Sequence, residues 1–212
     1  MIKILAYNGE LHDIIFIMDN TVRSLTKLER SIIVGSLLGD GYMRIIPDRK
    51  NAFLEINHSL RAKDYVDFKF EKLKRICKSS PKERKTNEDR HAYRFFTKQH
   101  KDLTILYNLF YKNNRKVIPK NLELDPISIA IWYMDDGSKS RDKDVYLNTQ
   151  QFSLSDQKTL LHYLRKFGVK ARLNKDKKYY RIRILKESIK TFMDIIKPYV
   201  VFSMRYKLVM TS

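Results

Sequence analysis

Two nine-residue stretches, IVGSLLGDG at residues 33–41 and IAIWYMDDG at residues 129–137, decide the architecture of this chain. Each is an apolar run that ends in Asp-Gly, which is typical of a helix that stops at a glycine. Gly35 and Gly39 are four residues apart, so they share one helix face and allow a second helix backbone to approach closely. Because each glycine costs about 1 kcal/mol in helix propensity, their spacing predicts a compensating seam between two helices.

The sequence around the two stretches repeats one order of elements. Each half has the hydrophobic spacing of helix–strand–strand–helix–strand–strand–helix, and each half closes with a basic group that contains Lys116 or Lys207. We therefore expect an α+β fold with two similar subdomains. The expected segments are an N-terminal extension of unclear role at 1–25, a first subdomain at 26–118, a linker at 119–125 and a second subdomain at 126–212.

Composition restricts the partners and the compartment. The chain has 43 Lys and Arg against 24 Asp and Glu, and a net charge of +19 favours a polyanionic partner such as nucleic acid. No run approaches the roughly 18 apolar residues of a spanning helix, so we expect no membrane partner. The single Cys77 excludes an intramolecular disulfide and a cysteine-based zinc site. It also favours a reducing, intracellular compartment, and the abundance of Lys, Asn, Ile and Tyr suits an organelle or a prokaryotic cytoplasm.

Each predicted seam helix is followed by a carboxylate. If the helices pack side by side, Asp40 and Asp136 meet at one end, where they repel each other and the helix dipoles. A divalent cation would relieve both repulsions, and oxygen ligands of this kind suit Mg²⁺, Ca²⁺ or Mn²⁺. For either aspartate alone a plain helix stop is the better interpretation, but for the repeated pair metal binding is better.

Both stretches resemble the nine-residue LAGLIDADG signature, and the chain is similar to the single-chain LAGLIDADG homing endonucleases, particularly those encoded in organellar rRNA introns. Supporting strings are NNRKVIP around Lys116, YMDDGSK, YLNTQQF and KPYV…MRYKL. The resemblance covers about residues 26–208. It implies two pseudo-symmetric αββαββα subdomains with the signature helices paired at their interface. It also implies two curved antiparallel sheets that form a DNA-binding saddle.

The same resemblance implies the chemistry of the site. The eighth signature position binds divalent metal through its carboxylate and the seventh through its backbone carbonyl, which here means Asp40, Asp136, Gly39 and Asp135. The side chain of Asp135 itself is expected to face solvent or a helix cap. Lys116 and Lys207 match the basic residue that in each half organises solvent and offsets phosphate charge. Mg²⁺ is the expected metal, Mn²⁺ is expected to substitute, and Ca²⁺ is expected to bind without supporting cleavage.

The sequence departs from the family pattern in its second signature. Ile131 and Trp132 stand where the consensus has Gly and Leu, so this side of the seam must differ from the first. A polar residue on the strand before each second helix often positions water in the family. The candidates are Asn57, His58 or Ser59 in the first half and Gln150 or Gln151 in the second, with His58 and Gln150 preferred.

Strand alternation predicts DNA contacts independently of the signatures. Arg and Asn side chains suit guanine and adenine edges, whereas lysines at the rim of a strand surface contact phosphate and position the protein. The expected outward-facing contacts are Arg44, Asn57, Arg94 and Lys98 in the first half and Lys170, Arg172, Asn174, Arg181 and Arg183 in the second.

Three functions are compatible with these features. The first is a monomeric, Mg²⁺-dependent endonuclease that hydrolyses both strands of double-stranded DNA at a long asymmetric target and leaves short 3′ overhangs. The second is an RNA maturase that binds intron RNA and assists splicing, and the third is a DNA-binding protein that does not cleave. Loss of either signature carboxylate would favour the third, and both are present.

Overall fold

The computed structural model describes residues 24–85, 91–140 and 143–209, so the expected extension at 1–25 lies outside the described residues except for its last two. The helices are α1 (Lys27–Leu38), α2 (Lys63–Leu73), α3 (Lys101–Phe110), α4 (Pro126–Asp136), α5 (Leu154–Lys166) and α6 (Ile189–Ile196). The strands are β1 (Tyr42–Ile45), β2 (Ala52–Ser59), β3 (Lys82–Lys85), β4 (His91–Phe96), β5 (Tyr111–Lys112), β6 (Arg115–Lys116), β7 (Gly137–Ser140), β8 (Asp144–Leu147), β9 (Ala171–Asp176) and β10 (Tyr179–Ile184).

The elements form two copies of the predicted order, separated by the small β5–β6 hairpin. Each copy contains a four-stranded antiparallel sheet, with strand orders β1-β2-β4-β3 and β7-β8-β10-β9. The expected α+β architecture with two antiparallel sheets is confirmed. Within the described ranges, no helix is long and apolar enough to cross a membrane.

One face of each sheet is apolar and packs on helices. In the first sheet Met43, Leu54 and Phe95 share one face and are essentially fully buried. In the second sheet Leu147 and Ile182 occupy the same position and face each other across the β8–β10 pair. The opposite face of each sheet carries most of the polar strand residues, as expected for antiparallel sheets covered on one side, and in the first sheet it also carries the rings of Phe53 and Phe96.

Helices α1 and α4 form the predicted seam between the two halves. A Cβ placed on Gly35 would lie 2.5 Å from the carbonyl oxygen of Ser128 and 2.6 Å from Cβ of Ile131. Only glycine permits this approach, and Ile131 fills the space beside it. The two sides of the seam therefore differ, as the departure of the second signature from the consensus predicts.

Both seam helices begin with a reciprocal cap. Thr26 and Glu29 form a capping box at α1, and Asp125 and Ser128 form another at α4, where Pro126 occupies the first turn. The hydroxyl of Ser31 donates to the Asp125 carboxylate, so the two helix starts are tied together. These caps fix where both helices begin, and the seam holds the helices side by side, so the carboxylates that follow their apolar runs lie at one end.

Replacing Glu29 with Gln should lower the free energy of unfolding by about 1–2 kcal/mol at neutral pH. Burial raises the pKa of Glu29, but hydrogen bonds from Arg75 and Thr26 outweigh it, so the pKa is lowered overall. The Arg75 guanidinium lies 2.6 Å from the carboxylate and ties α1 to the residues that follow α2.

A lowered carboxyl pKa contributes stability that is present above the unfolded pKa, about 4.3, and is lost as pH falls through the folded pKa. Urea unfolding of the two proteins at several pH values measures the difference. The difference in unfolding free energy between the wild type and Glu29→Gln should narrow as pH falls below about 4.3. A difference that stays constant would contradict the lowered pKa of Glu29.

Candidate active site at the helix seam

The carboxylates of Asp40 and Asp136 lie at the same end of the α1–α4 seam. Asp136 is the last residue of α4, and Asp40 directly follows Gly39, the cap residue of α1. The amide nitrogen of Gln151 lies 3.3 Å from Oδ2 of Asp136 and 3.4 Å from the carbonyl oxygen of Gly39. The side-chain nitrogen of Gln151 therefore contacts oxygen atoms from the ends of both α1 and α4.

This end of the seam concentrates negative charge. Burial, followed by the nearby charges of Asp40 and Asp135, raises the pKa of Asp136 to about 7. Lys116 and Lys207 oppose that effect without cancelling it. The surroundings of Asp136 therefore favour a bound cation.

Each of the two lysines contacts the end of the signature helix in its own half. Nζ of Lys116 donates to the carbonyl oxygen of Gly39 at 2.8 Å. Nζ of Lys207 donates to the carbonyl oxygens of Met134 at 2.5 Å and Asp135 at 3.2 Å. Burial lowers the pKa of Lys116 to about 8 and also lowers that of Lys207. The seventh-position carbonyls thus face the site, where lysines contact them.

The side chain of Asp135 does not face solvent or a cap, and that expectation is wrong. Its carboxylate is fully buried and accepts hydrogen bonds from Nζ of Lys69 at 2.7 and 3.0 Å and from the hydroxyl of Tyr65 at 2.8 Å. Both partners lie on α2, in the other half of the chain. The lack of a side chain at Gly39 makes room for the Asp135 side chain, because a Cβ on Gly39 would clash with Asp135.

Sequence reasoning missed Lys69 and Tyr65. A signal was available, because Tyr65, Lys69 and Leu73 follow one another at four-residue spacing and form the buried stripe of α2. A lysine inside an apolar stripe indicates a buried anionic partner, since an unpaired buried ammonium is too costly. The sequence did not indicate that the partner is on α4.

His58 lies beside both acidic groups, on the core-facing side of β2. Its Nδ1 is 3.5 Å from Oδ2 of Asp40, and its Nε2 is 3.7 Å from Oδ1 of Asp135. Burial, followed by the charge of Lys69, lowers the pKa of His58. The neutral imidazole is therefore favoured, and it is placed to contact water or an ion at the site.

In the second half the residue at the site is Gln151, which corrects the preference for Gln150. Gln150 does not lie on the strand before the second helix, because β8 ends at Leu147 and residue 150 is in a turn. The side-chain amide of Gln150 instead donates to Oδ2 of Asp176 at 3.0 Å.

The predicted DNA contacts lie on the sheet faces opposite the core. In the first sheet Asn57 pairs with Arg94 across β2 and β4, and Arg44 shares their face because it pairs with Phe53 across β1 and β2. Lys98 is exposed and follows the end of β4. The Arg94 guanidinium lies 3.3 Å from Glu55, so one contact is partly neutralised in the free protein.

The second sheet presents its own polar face. Arg172 pairs with Arg183 and Asn174 pairs with Arg181 across β9 and β10, and exposed Lys170 immediately precedes β9. The Arg181 guanidinium lies 4.0 Å above the Tyr146 ring. Oδ1 of Asp144 is 2.5 Å from the Arg183 guanidinium. These arginines are held in place before any partner binds.

The residues at the seam fit a hard divalent cation. The Asp40 and Asp136 carboxylates and the Gly39 carbonyl are oxygen donors of the kind that Mg²⁺ takes, and two of the three converge on the Gln151 amide. A second arrangement of donor atoms joins Asp40, His58 and Asp135 within 4.8 Å of one another. Its imidazole suits transition metals better than Mg²⁺.

Proteins similar to this chain are known both by sequence and by fold. Residues 30–192 match the LAGLIDADG DNA endonuclease family. The chain is 30% identical over 210 residues to cytochrome b mRNA maturase bI2 of Saccharomyces cerevisiae, covering 90% of this chain and 49% of that protein. It is 28% identical over 199 residues to probable intron-encoded endonuclease 1 of Wickerhamomyces canadensis, covering 87% and 85%. The solved structure of homing endonuclease I-WcaI bound to its DNA recognition sequence matches with a TM-score of 0.81, 26% identity and 89% of each chain.

Proposed function

Because the chain belongs to the LAGLIDADG DNA endonuclease family, we propose that it is a metal-dependent endonuclease that cuts both strands of a long asymmetric DNA target. The observation that carries the proposal is the meeting of Asp40 and Asp136 at the end of the seam, with Lys116 and Lys207 beside them. Both halves of this site come from one chain, so we infer that the protein acts as a monomer.

Each residue of the site has a role that follows from its position. Asp40 and Asp136 would hold the divalent cations together with the carbonyl oxygens of Gly39 and Asp135. A bound Mg²⁺ supplies an activated water and a Lewis acid for the leaving oxygen. Mn²⁺ should substitute, and Ca²⁺ should bind without supporting cleavage.

The other polar groups position water and phosphate. The Lys116 and Lys207 ammonium groups supply positive charge beside the carboxylates, where the two scissile phosphates must enter. Gln151 and His58 are placed to orient water on opposite sides of the seam. Hydrolysis by this arrangement would cut one strand at each acidic residue and leave short 3′ overhangs.

The two sheet faces support binding to an asymmetric target. On the first face, Arg44 and Arg94 lie over the rings of Phe53 and Phe96, and on the second, Arg181 lies over Tyr146. Different side chains at equivalent places read different base pairs. The net charge of +19 supplies the nonspecific attraction to the phosphate backbone.

Affinity for DNA should fall steeply with salt. A protein that makes 6–10 phosphate contacts loses roughly 10³–10⁵ in affinity between 50 and 200 mM salt. Titration of a labelled duplex at several salt concentrations measures the slope, and Lys170→Ala should make it shallower, because exposed Lys170 lies at the rim of the second sheet, where lysines contact phosphate. A slope near zero would argue against an extended DNA interface.

The direct test of cleavage needs no known target. The purified protein is incubated with a large randomised plasmid library in Mg²⁺ or in Ca²⁺, and the ends produced are sequenced. We expect ends that cluster at one long asymmetric site in Mg²⁺ only. Salt-sensitive binding without any ends would contradict the nuclease proposal.

An RNA maturase is the second candidate, favoured by the similarity to the yeast cytochrome b mRNA maturase. The chain spans about half of that protein, so the activity of the longer protein does not transfer directly. Copurification of intron RNA and acceleration of splicing in vitro would support this function. The same basic surfaces would then contact structured RNA rather than a DNA duplex.

A further inference from the structure

The ammonium group of Lys69 is buried at the junction of the two halves. Its side chain and that of Asp135 are both 0% exposed, and its nitrogen contacts both carboxylate oxygens. The ammonium also lies 4.5 Å from the centre of the Tyr65 ring. A buried pair of this kind is destabilised strongly when one partner is removed, so the ammonium and the carboxylate depend on each other.

Beside this pair lies a nitrogen that has no hydrogen-bond partner. His58 is nine-tenths buried, and its Nε2 is without a partner among the described residues while it faces Oδ1 of Asp135 at 3.7 Å. Its other ring nitrogen faces Asp40. Asp40, His58 and Asp135 thus offer three ligand atoms within 4.8 Å of one another. The Lys69 ammonium contacts one member of this group, the Asp135 carboxylate.

The positions of the other half that correspond by counting from the helix start and from the signature end carry neither charge. Lys69 is the seventh residue of α2, and the seventh residue of α5 is Leu160, which is also fully buried. Asp135 precedes the acidic residue of the second signature, and Gly39 precedes that of the first. The pair of positions that has the Asp135 carboxylate also has the Lys69 ammonium, whereas the pair formed by Gly39 and Leu160 has neither charge. This is expected if the two charges neutralise each other.

We propose that the Lys69 ammonium occupies the cation position of the Asp40–His58–Asp135 cluster and thereby confines divalent-metal binding to Asp40 and Asp136. Lys69 is a positioning residue, because it contacts Asp135 and not the reacting atoms. Its buried charge keeps the third carboxylate out of the set of metal ligands. The effect on cleavage rests on the proposed function, whereas the effect on metal binding does not.

The test compares Lys69→Met with the wild type in a Co²⁺ titration of the DNA-free protein, followed by visible absorption. Lys69→Met should bind one additional Co²⁺ per chain, with new absorption bands from a nitrogen ligand. Adding Asp135→Asn to this variant should remove the additional site. Lys72→Met, which deletes an exposed lysine from the same helix, should titrate like the wild type.

Cleavage provides the second readout. Lys69→Met should lower the cleavage rate roughly 10–100-fold, the range seen when residues that support metal ligands are changed. Lys69→Met with Asp135→Asn removes both buried charges, folds without an unpaired ion, and should recover most of the rate. The double variant avoids the buried unpaired carboxylate and therefore still gives a cleavage readout that can contradict the proposal if Lys69→Met alone does not fold.

Two results would overturn the proposal. One is a Lys69→Met protein that is folded by circular dichroism and binds Co²⁺ with the stoichiometry and spectrum of the wild type. The other is a folded double variant that cleaves as poorly as a variant lacking Asp40. If the wild type itself cleaves no DNA, the proposed function fails, but the Co²⁺ titration still decides the role of Lys69.

Discussion

Replacing Asp40 or Asp136 with Asn is expected to abolish double-strand cleavage while DNA affinity stays close to that of the wild type. Either change removes a carboxylate from the end of the seam and retains a side chain of nearly the same shape. Loss of metal-based stabilisation worth several kcal/mol corresponds to a rate reduction of roughly 10³-fold or more. The arginines proposed to contact DNA lie on the sheet faces and are untouched.

Cleavage of a plasmid that carries the target, with products separated as supercoiled, nicked and linear forms, measures this effect. Affinity is measured in parallel in Ca²⁺. Asp194→Asn is the matched control, because it makes the same chemical change at an exposed position on α6, where the carboxylate contacts Lys190. Wild-type levels of linear product from either active-site variant would show that the site lies elsewhere.

Replacing Gly35 with Ala is expected to lower the free energy of unfolding by about 2 kcal/mol, because a methyl group overfills the seam. The added Cβ would lie 2.5 Å from the Ser128 carbonyl oxygen and 2.6 Å from Cβ of Ile131. Alanine gains about 1 kcal/mol of helix propensity over glycine, so the overpacking must exceed that gain. The Ser128 carbonyl oxygen is a backbone atom of α4, so rotation of a side chain cannot relieve this clash.

Urea unfolding gives the stability change, and the cleavage assay tells whether the two carboxylates keep their spacing. Ser36→Ala is the matched control, since it introduces the same residue at the adjacent buried position and removes a hydroxyl without a hydrogen-bond partner among the described residues. It should change stability by less than about 1 kcal/mol. A Gly35→Ala protein as stable as the wild type would mean that the helices are not in close contact there.

Much of the site was predictable because its main residues are fixed by local sequence. Asp40 and Asp136 each stand at the C-terminal end of an apolar helical run. The run alone puts such a residue at one end of its helix, whatever packs around it. Lys116 and Lys207 close equivalent halves, so a repeated order of elements places them equivalently. Local sequence did not fix which glutamine lies beside Asp136, because β8 ends at Leu147 and no strand pattern sets the side-chain directions of the residues after it.

By itself, the sequence determined the repeated αββαββα order, the glycine-lined seam and the faces of the strands. Those features depend on hydrophobic periods of a few residues, which are visible along the chain. Only the tertiary structure decided that the Asp135 carboxylate is buried against Lys69 and that His58 lies between two acidic groups. These partners are far apart in the sequence, and a buried charge is stable only when packing supplies its counter-charge. Such a pairing depends on how the two halves meet, which no local pattern records.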